Sequence, residues 1–207
     1  MRADMLKKNK GFSLVELMIG LAMLSILAGL FAPYGKQWYK GYSLTNGVNL
    51  IKSAVQLAKM TSTKNGISVV VQFTQGVKDN GTYCVFVDDG GGIPANAENG
   101  TWQDGEQVFR RGTMPNRIEI YLAEFDSVVG TNDNIMSTMF GPMGLPVGGA
   151  GGAPVYYSGQ VYVCHEEDLL AGGKGNFKRI NIGPSGTIRI ERSDSPQTEA
   201  AGGYWHE

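Results

Sequence analysis

The sequence predicts an α+β fold, with one long N-terminal α-helix packed on an antiparallel β-sheet domain. Three observations carry that expectation. The run Phe12–Ala32 is apolar and holds a single charged residue, Glu16. Beyond it Leu44, Val48, Ile51, Val55 and Ala58 recur at spacings of 4, 3, 4 and 3, the stripe of an amphipathic helix. After Asn65-Gly66 the pattern changes to period two and to short β-rich apolar runs between glycine-rich turns.

Residues 1–11 carry Arg2, Lys7, Lys8 and Lys10 against Asp4 and end in glycine, so they read as a processing segment outside the fold. Residues 12–33 are long enough to cross a bilayer at about 1.5 Å of helix per residue. The cations precede this span, and only Lys36 and Lys40 closely follow it. That asymmetry puts the leader in the cytoplasm and the remainder outside the inner membrane, a single pass. An ordinary secretory signal fits less well: its apolar core is shorter, and the best small-residue cleavage site, Ala32, is followed by Pro33. Pro33 removes one helical hydrogen bond and predicts a kink near Gly29. The helix then resumes, giving one helix over 12–63 with Asn65-Gly66 as its stop.

The β domain occupies 64–207. Strands are expected at Ile67–Thr74 and Thr82–Val87, with Asn80-Gly81 as a hairpin-type turn, then at Gln107–Arg110, Arg117–Glu124 and Val155–His165. Gly141–Pro154 reads as an irregular glycine-rich loop, and 193–207 as a polar tail. The final hairpin is specified in detail. Phe177–Ile182 and Thr187–Arg192 flank Pro184-Ser185-Gly186, a three-residue loop suited to a type I turn closed by a left-handed glycine. This register pairs Ile182 with Ile188 and Ile180 with Ile190 on one face. It sets Arg179 against Glu191 and Asn181 against Arg189 on the other.

Composition bounds the rest. The 207 residues, 42% hydrophobic and 18% charged, suit an anchor plus one folded domain. Formal net charge is -1, and removing the basic leader leaves a more acidic chain, so bulk electrostatic binding of nucleic acid is excluded. Cys84 and Cys164 lie far apart in strand-like runs. A disulfide and two buried thiols are both open, because sequence does not give their separation.

Lys7 through Gly20 resembles the class III signal of type IV prepilins and type II secretion pseudopilins, and the likeness extends to about Tyr34. The resemblance implies cleavage by a prepilin peptidase after Gly11, N-methylation of Phe12 and a role for Glu16 in assembly. The amine created at Phe12 is cationic near neutral pH, so in a packed helix bundle it can neutralise Glu16 of a neighbour. An unpartnered charge in the bilayer costs about 2.5–3.5 kcal/mol. Phe140-Gly141-Pro142-Met143-Gly144 and the segment from Ile180 to Arg189 are similar to two blocks of GspH/FimT-type minor pilins, and Val87–Glu106 to their acidic glycine-rich loop. A pilin-like fold follows from this resemblance. The long glycine-rich insert after Gly144 and the polar tail depart from the family pattern.

Other constellations are weaker. Asp88, Asp89, Asn99, Asp104 and Glu106 offer hard oxygen ligands for calcium, without EF-hand spacing and among residues common in turns. His165-Glu166-Glu167-Asp168 and His206-Glu207 read as a solvated loop and tail rather than as metal ligands. Lys174, Lys178, Arg179, Arg189 and Arg192 crowd the last hairpin. Gly186-Thr187-Ile188-Arg189 approximates the Gly-x-x-Arg segment of FimT-type pilins that act in DNA uptake, although Glu191 and Asp194 dilute the charge. No nucleophile–base arrangement is visible, so the expectation is not an enzyme, with no cofactor beyond the calcium alternative. The expected function is structural: a minor pilin or pseudopilin that initiates or caps a type IV pilus or a type II secretion pseudopilus. Its partners would be other pilins, the prepilin peptidase and the inner-membrane assembly platform. A DNA-binding subunit or a filament-tip adhesin are the alternatives.

Overall fold

The computed structural model describes residues 12–74, 81–92, 100, 102–125, 135–147, 159–170 and 175–193. The chain divides into two units, Met1–Tyr39 and Lys40–Glu207. Helix α1, Leu14–Asn65, is common to both. Its helical run is continuous through Pro33. One lost hydrogen bond does not interrupt a helix whose other turns are intact.

In the first unit every side chain described, from Phe12 to Tyr39, is exposed. In the second, α1 packs on two antiparallel sheets. Sheet 1 is formed by β1 (Val69–Thr74), β2 (Thr82–Val87), β3 (Val108–Thr113), β5 (Ile135–Phe140) and β6 (Pro146–Val147), in the order β3-β2-β1-β5-β6. Sheet 2 is formed by β4 (Ile118–Phe125), β7 (Gly159–His165), β8 (Phe177–Ile182) and β9 (Ile188–Ser193), in the order β4-β7-β8-β9. A short helix α2, Glu166–Leu170, follows β7.

The predicted stripe Leu44, Val48, Ile51, Val55 and Ala58 is buried, joined by Ala54. It meets Val69, Val71, Phe73, Tyr83 and Val85 from sheet 1, and Ile118, Ile120, Val161, Val163, Ile180 and Ile182 from sheet 2. One helix face thus seals both sheets. At Gly47 the helix comes so close that a Cβ would lie 2.8 Å from Ile118 Cγ2 and 2.9 Å from Met114 Cε. The helix ends where Ser62 O accepts from Gly66 N at 2.9 Å and Ile67 N at 3.3 Å, at the predicted Asn65-Gly66 stop.

The final hairpin has the predicted register, with Ile182↔Ile188, Ile180↔Ile190, Arg179↔Glu191 and Asn181↔Arg189. Its loop is closed by Gly186 N donating to Gly183 O at 2.8 Å. Other expectations change. Strand β3 extends to Thr113, beyond the Arg110 expected. Strands β5 and β6 and helix α2 are additions to the sequence-based plan. The segment Gly141–Pro154 is not irregular throughout, since Pro146–Val147 pairs with Met139 and Phe140. The predicted turn at Asn80, residues 155–158 of the predicted strand and the tail beyond Ser193 lie outside the described residues.

This packing predicts that Ile51→Ala costs about 3 kcal/mol, because it opens a cavity against both sheets. Gln56→Ala, on the exposed face, changes stability by less than about 0.5 kcal/mol. Chemical denaturation of the full chain in detergent measures both.

Candidate functional site

Gly11, the predicted cleavage position, lies outside the described residues. Phe12 and Ser13 precede the helix, and Ser13 O accepts from Leu17 N at 3.1 Å, closing the first turn. Glu16 sits in that turn, where a carboxylate faces the unpaired amides and positive dipole of a helix N-terminus. It is exposed, as are the apolar side chains that follow it. Leu14–Phe31 has a mean hydropathy of 2.3 and none of it is buried, so by length and composition it can cross a membrane. Ser25, a polar interruption, turns its hydroxyl back onto Leu21 O at 2.8 Å. Beyond the span come exposed Tyr34, Trp38 and Tyr39, the residue types that favour a membrane–water boundary.

In the second unit, the four described cations of the five singled out at the last hairpin do not form one patch. Strand alternation and the register set Lys178 and Arg192 on the face turned to α1, and Arg179 and Arg189 on the other. Lys178 Nζ donates to Thr45 Oγ1 at 2.9 Å, and burial, then Arg192, lowers its pKa. Arg192 donates to Asn176 Oδ1 at 2.7 Å. Arg179 is buried and donates through Nε to Glu191 Oε2 at 2.7 Å and through Nη1 to Gln160 Oε1 at 3.0 Å. Arg189 alone of the four is both outward-facing and exposed. Lys174 lies outside the described residues.

The cysteines are not bonded. Cys84 alternates with the core residues Tyr83 and Val85, and Cys164 follows the core residue Val163, so each thiol points away from the shared core, in a different sheet. Burial, then Glu119 and Asp168, pushes the Cys164 thiol up to about 12.

The carboxylates considered for calcium serve their own loop. Asp88 Oδ2 accepts from Gly100 N at 2.6 Å, and Asp89 Oδ1 from Gly91 N at 3.1 Å. Glu106 accepts from Gly90 N at 3.1 Å and from Gln103 N at 2.8 Å, while burial raises its pKa. Asp104 is exposed, and Asn99 lies outside the described residues. Near α2, Lys40 Nζ meets Asp168 Oδ1 at 2.5 Å and Glu167 at 3.9 Å, and Arg117 Nη1 meets Glu167 at 3.1 Å. His165 is buried, its Nδ1 accepts from Glu167 N at 3.2 Å, and burial, then Lys40, lowers its pKa. Among the described residues no three His, Cys, Asp or Glu side chains gather into a metal-ligand set. His206 and Glu207 lie outside them.

Two features were not anticipated from sequence. The first is a turn at Gly141-Pro142-Met143-Gly144 that matches the predicted turn at Gly183-Pro184-Ser185-Gly186. Each is closed by a 2.8 Å bond between its glycines and has its last glycine at φ 70°. They meet at the end of α1: Lys59 Nζ donates to Gly186 O at 2.9 Å, and a Cβ on Gly144 would lie 2.3 Å from Thr63 Oγ1. The repeated Gly-Pro-x-Gly was the available signal. The second is a cavity of about 440 Å³ on the outer face of sheet 1, where Arg111 stacks 4.1 Å from the Trp102 ring. Trp102 Nε1 is buried without a hydrogen-bond partner.

The family model for the prokaryotic N-terminal methylation motif matches residues 6–32. No curated protein matches the chain. Among solved structures the chain is similar to the type IV minor pilin FimU of Pseudomonas aeruginosa, at 13% identity and a TM-score of 0.48, covering 77% of this chain and 99% of that one.

The thiol environments predict that a maleimide labels Cys84 in the native protein without prior reduction, and Cys164 only after denaturation. Mass spectrometry of the labelled peptides reads this, and labelling that needs a reductant would contradict two free thiols.

Proposed function

We propose that the chain is a membrane-anchored subunit of a pilin-type filament, processed after Gly11, methylated at Phe12 and held in the assembly through Glu16. The observation that carries this reading is the methylation motif over residues 6–32, coinciding with an exposed apolar helix whose one charge lies in its first turn. An exposed apolar helix of this length is stable only in lipid or against other such helices. Glu16 then needs a cation. The leader supplies none at Phe12 while the Gly11–Phe12 peptide bond is intact, and cleavage creates one. The helix dipole disfavours a cation at its own N-terminus and favours the carboxylate there, so the new amine gains most from Glu16 of a neighbouring subunit.

The partners of this reading are other pilin subunits, a prepilin peptidase and an inner-membrane assembly platform. The second unit would lie on the periplasmic side before the subunit enters a type IV pilus or a secretion pseudopilus. Tyr34, Trp38 and Tyr39 would then mark the membrane boundary. The second unit is large and glycine-rich for a densely repeated subunit, which favours a low-copy role in initiating or capping the filament. A DNA-uptake role draws less support, because the candidate cations lie on two faces and Arg179 is paired with Glu191.

Two substitutions test the reading. Gly11→Leu is expected to leave a membrane protein that retains its leader, lacks N-methylation and is absent from filaments. Glu16→Leu is expected to be cleaved and inserted normally, yet to be lost from sheared filaments by at least about tenfold. Intact-mass measurement and filament blots read both, and a Glu16→Leu subunit recovered at parental levels would overturn the docking role.

A further inference from the structure

Strand β3 ends sheet 1, with no strand beyond it among the described residues. Such an edge presents a row of backbone N–H and C=O groups able to pair with another chain. Two hollows flank it. On the outer face lies the 440 Å³ cavity lined by Gln72, Cys84, Trp102, Arg111 and Thr113. On the helix side lies a groove of about 650 Å³, lined by Leu57, Met60, Thr61 and Lys64 of α1 together with Phe109 of β3. The first is ringed by hydrogen-bonding groups and a cation. The second is more apolar, with Met60 70% exposed, and two lysines, Lys59 and Lys64, are among its lining.

The register explains why the two hollows sit on either side of one strand. Arg111 pairs with the outward-facing Cys84, and Thr113 with Thr82. Arg110 pairs with the core residue Val85 and reaches the Tyr83 ring, so it faces the helix side. A register shift between Val85 and Phe86 sets Phe109 toward the helix side as well, where it packs on the core. The edge therefore has a polar, cationic pocket on one face and an apolar one on the other.

We propose that β3 is a docking edge for an extended segment of another protein that alternates acidic and apolar residues. A strand added to an edge directs successive side chains to opposite faces, so it fills both hollows at once, and its main chain completes the sheet. Acidic residues on the outer side would meet Arg111, whose guanidinium lies over the Trp102 ring and is a cation of the kind that pairs with carboxylates. Apolar residues on the other side would cover Leu57, Met60 and Phe109. A second copy of this chain is a poor occupant, because edge-to-edge pairing of two β3 strands would bring their Arg110 and Arg111 side chains together. The inference rests on the second unit alone and goes beyond the anchoring role.

The test uses the full chain in detergent micelles and a labelled peptide, Thr-Val-Glu-Val-Glu-Val-Thr, followed by fluorescence anisotropy and amide hydrogen exchange. Saturable binding is expected, with slowed exchange confined to Val108–Thr113 and its neighbours. Replacing both Glu by Lys, or N-methylating the pairing amides, is expected to weaken binding at least about tenfold. The variant Arg111→Glu is expected to reverse the preference toward the Lys peptide, an outcome that misfolding cannot produce. Arg111→Gln is expected to lose the preference while keeping the dependence on peptide amides. The proposal is overturned by an absence of saturable binding, by equal affinity for the N-methylated peptide, by protection elsewhere, or by a dimer that itself protects β3. It is also overturned by an Arg111→Glu protein of parental circular dichroism that binds neither peptide.

Discussion

The second unit depends on one contact, the apolar face of α1 between Leu44 and Ala58. The same helix face closes the inner side of both sheets. Val71, Phe73 and Val85 of sheet 1, and Ile120, Val163 and Ile180 of sheet 2, share one buried cluster with that helix face. A sheet has one face to bury and needs a second layer to bury it against. Ala54, Ala58 and Gly47 let the helix come close enough to serve both sheets. The helix that is long and apolar enough to cross a membrane at one end thus also supplies a face of the globular core.

Much of this was legible in the sequence, and the legible parts share a reason. The helix stripe and the last hairpin are written in local periodicity, where each residue's neighbours decide its face. Ile180, Ile182, Ile188 and Ile190 all fall on one side in the register that the three-residue loop sets, and that register is the one formed. Where the partner is remote, the sequence is mute. Ile135–Phe140 holds Ser137, Thr138 and two methionines, a weak strand signal, and is fixed by pairing with β1 far earlier in the chain. Pro146–Val147 is too short to announce itself and is defined by its pairing with Met139 and Phe140.

The candidate site residues divide along the same line. Glu16 stands out in the sequence because it is the one charge in the apolar run around it. The hairpin cations looked like a cluster because they are close in sequence, but strand alternation sends Lys178 and Arg179 to opposite faces, and pairing removes Arg179 from the surface. Cys84 and Cys164 are kept apart by the same alternation applied in two sheets. The acidic loop looked like a cation site, and its carboxylates are used to fold the loop itself, which leaves Trp102 stacked on Arg111.

The bond from Lys40 to Asp168 has a mechanical consequence. Lys40 is the first residue of the second unit, so tension carried along α1 would meet that ion pair before anything else in the unit. Behind it the grip on the sheets runs along the helix axis for several turns and ends at Lys59, clamped by the twin turns. A pull along the axis loads those contacts in shear, so many must give way together, whereas a pull across the axis would peel them singly. The unit is braced against a pull along the axis of α1.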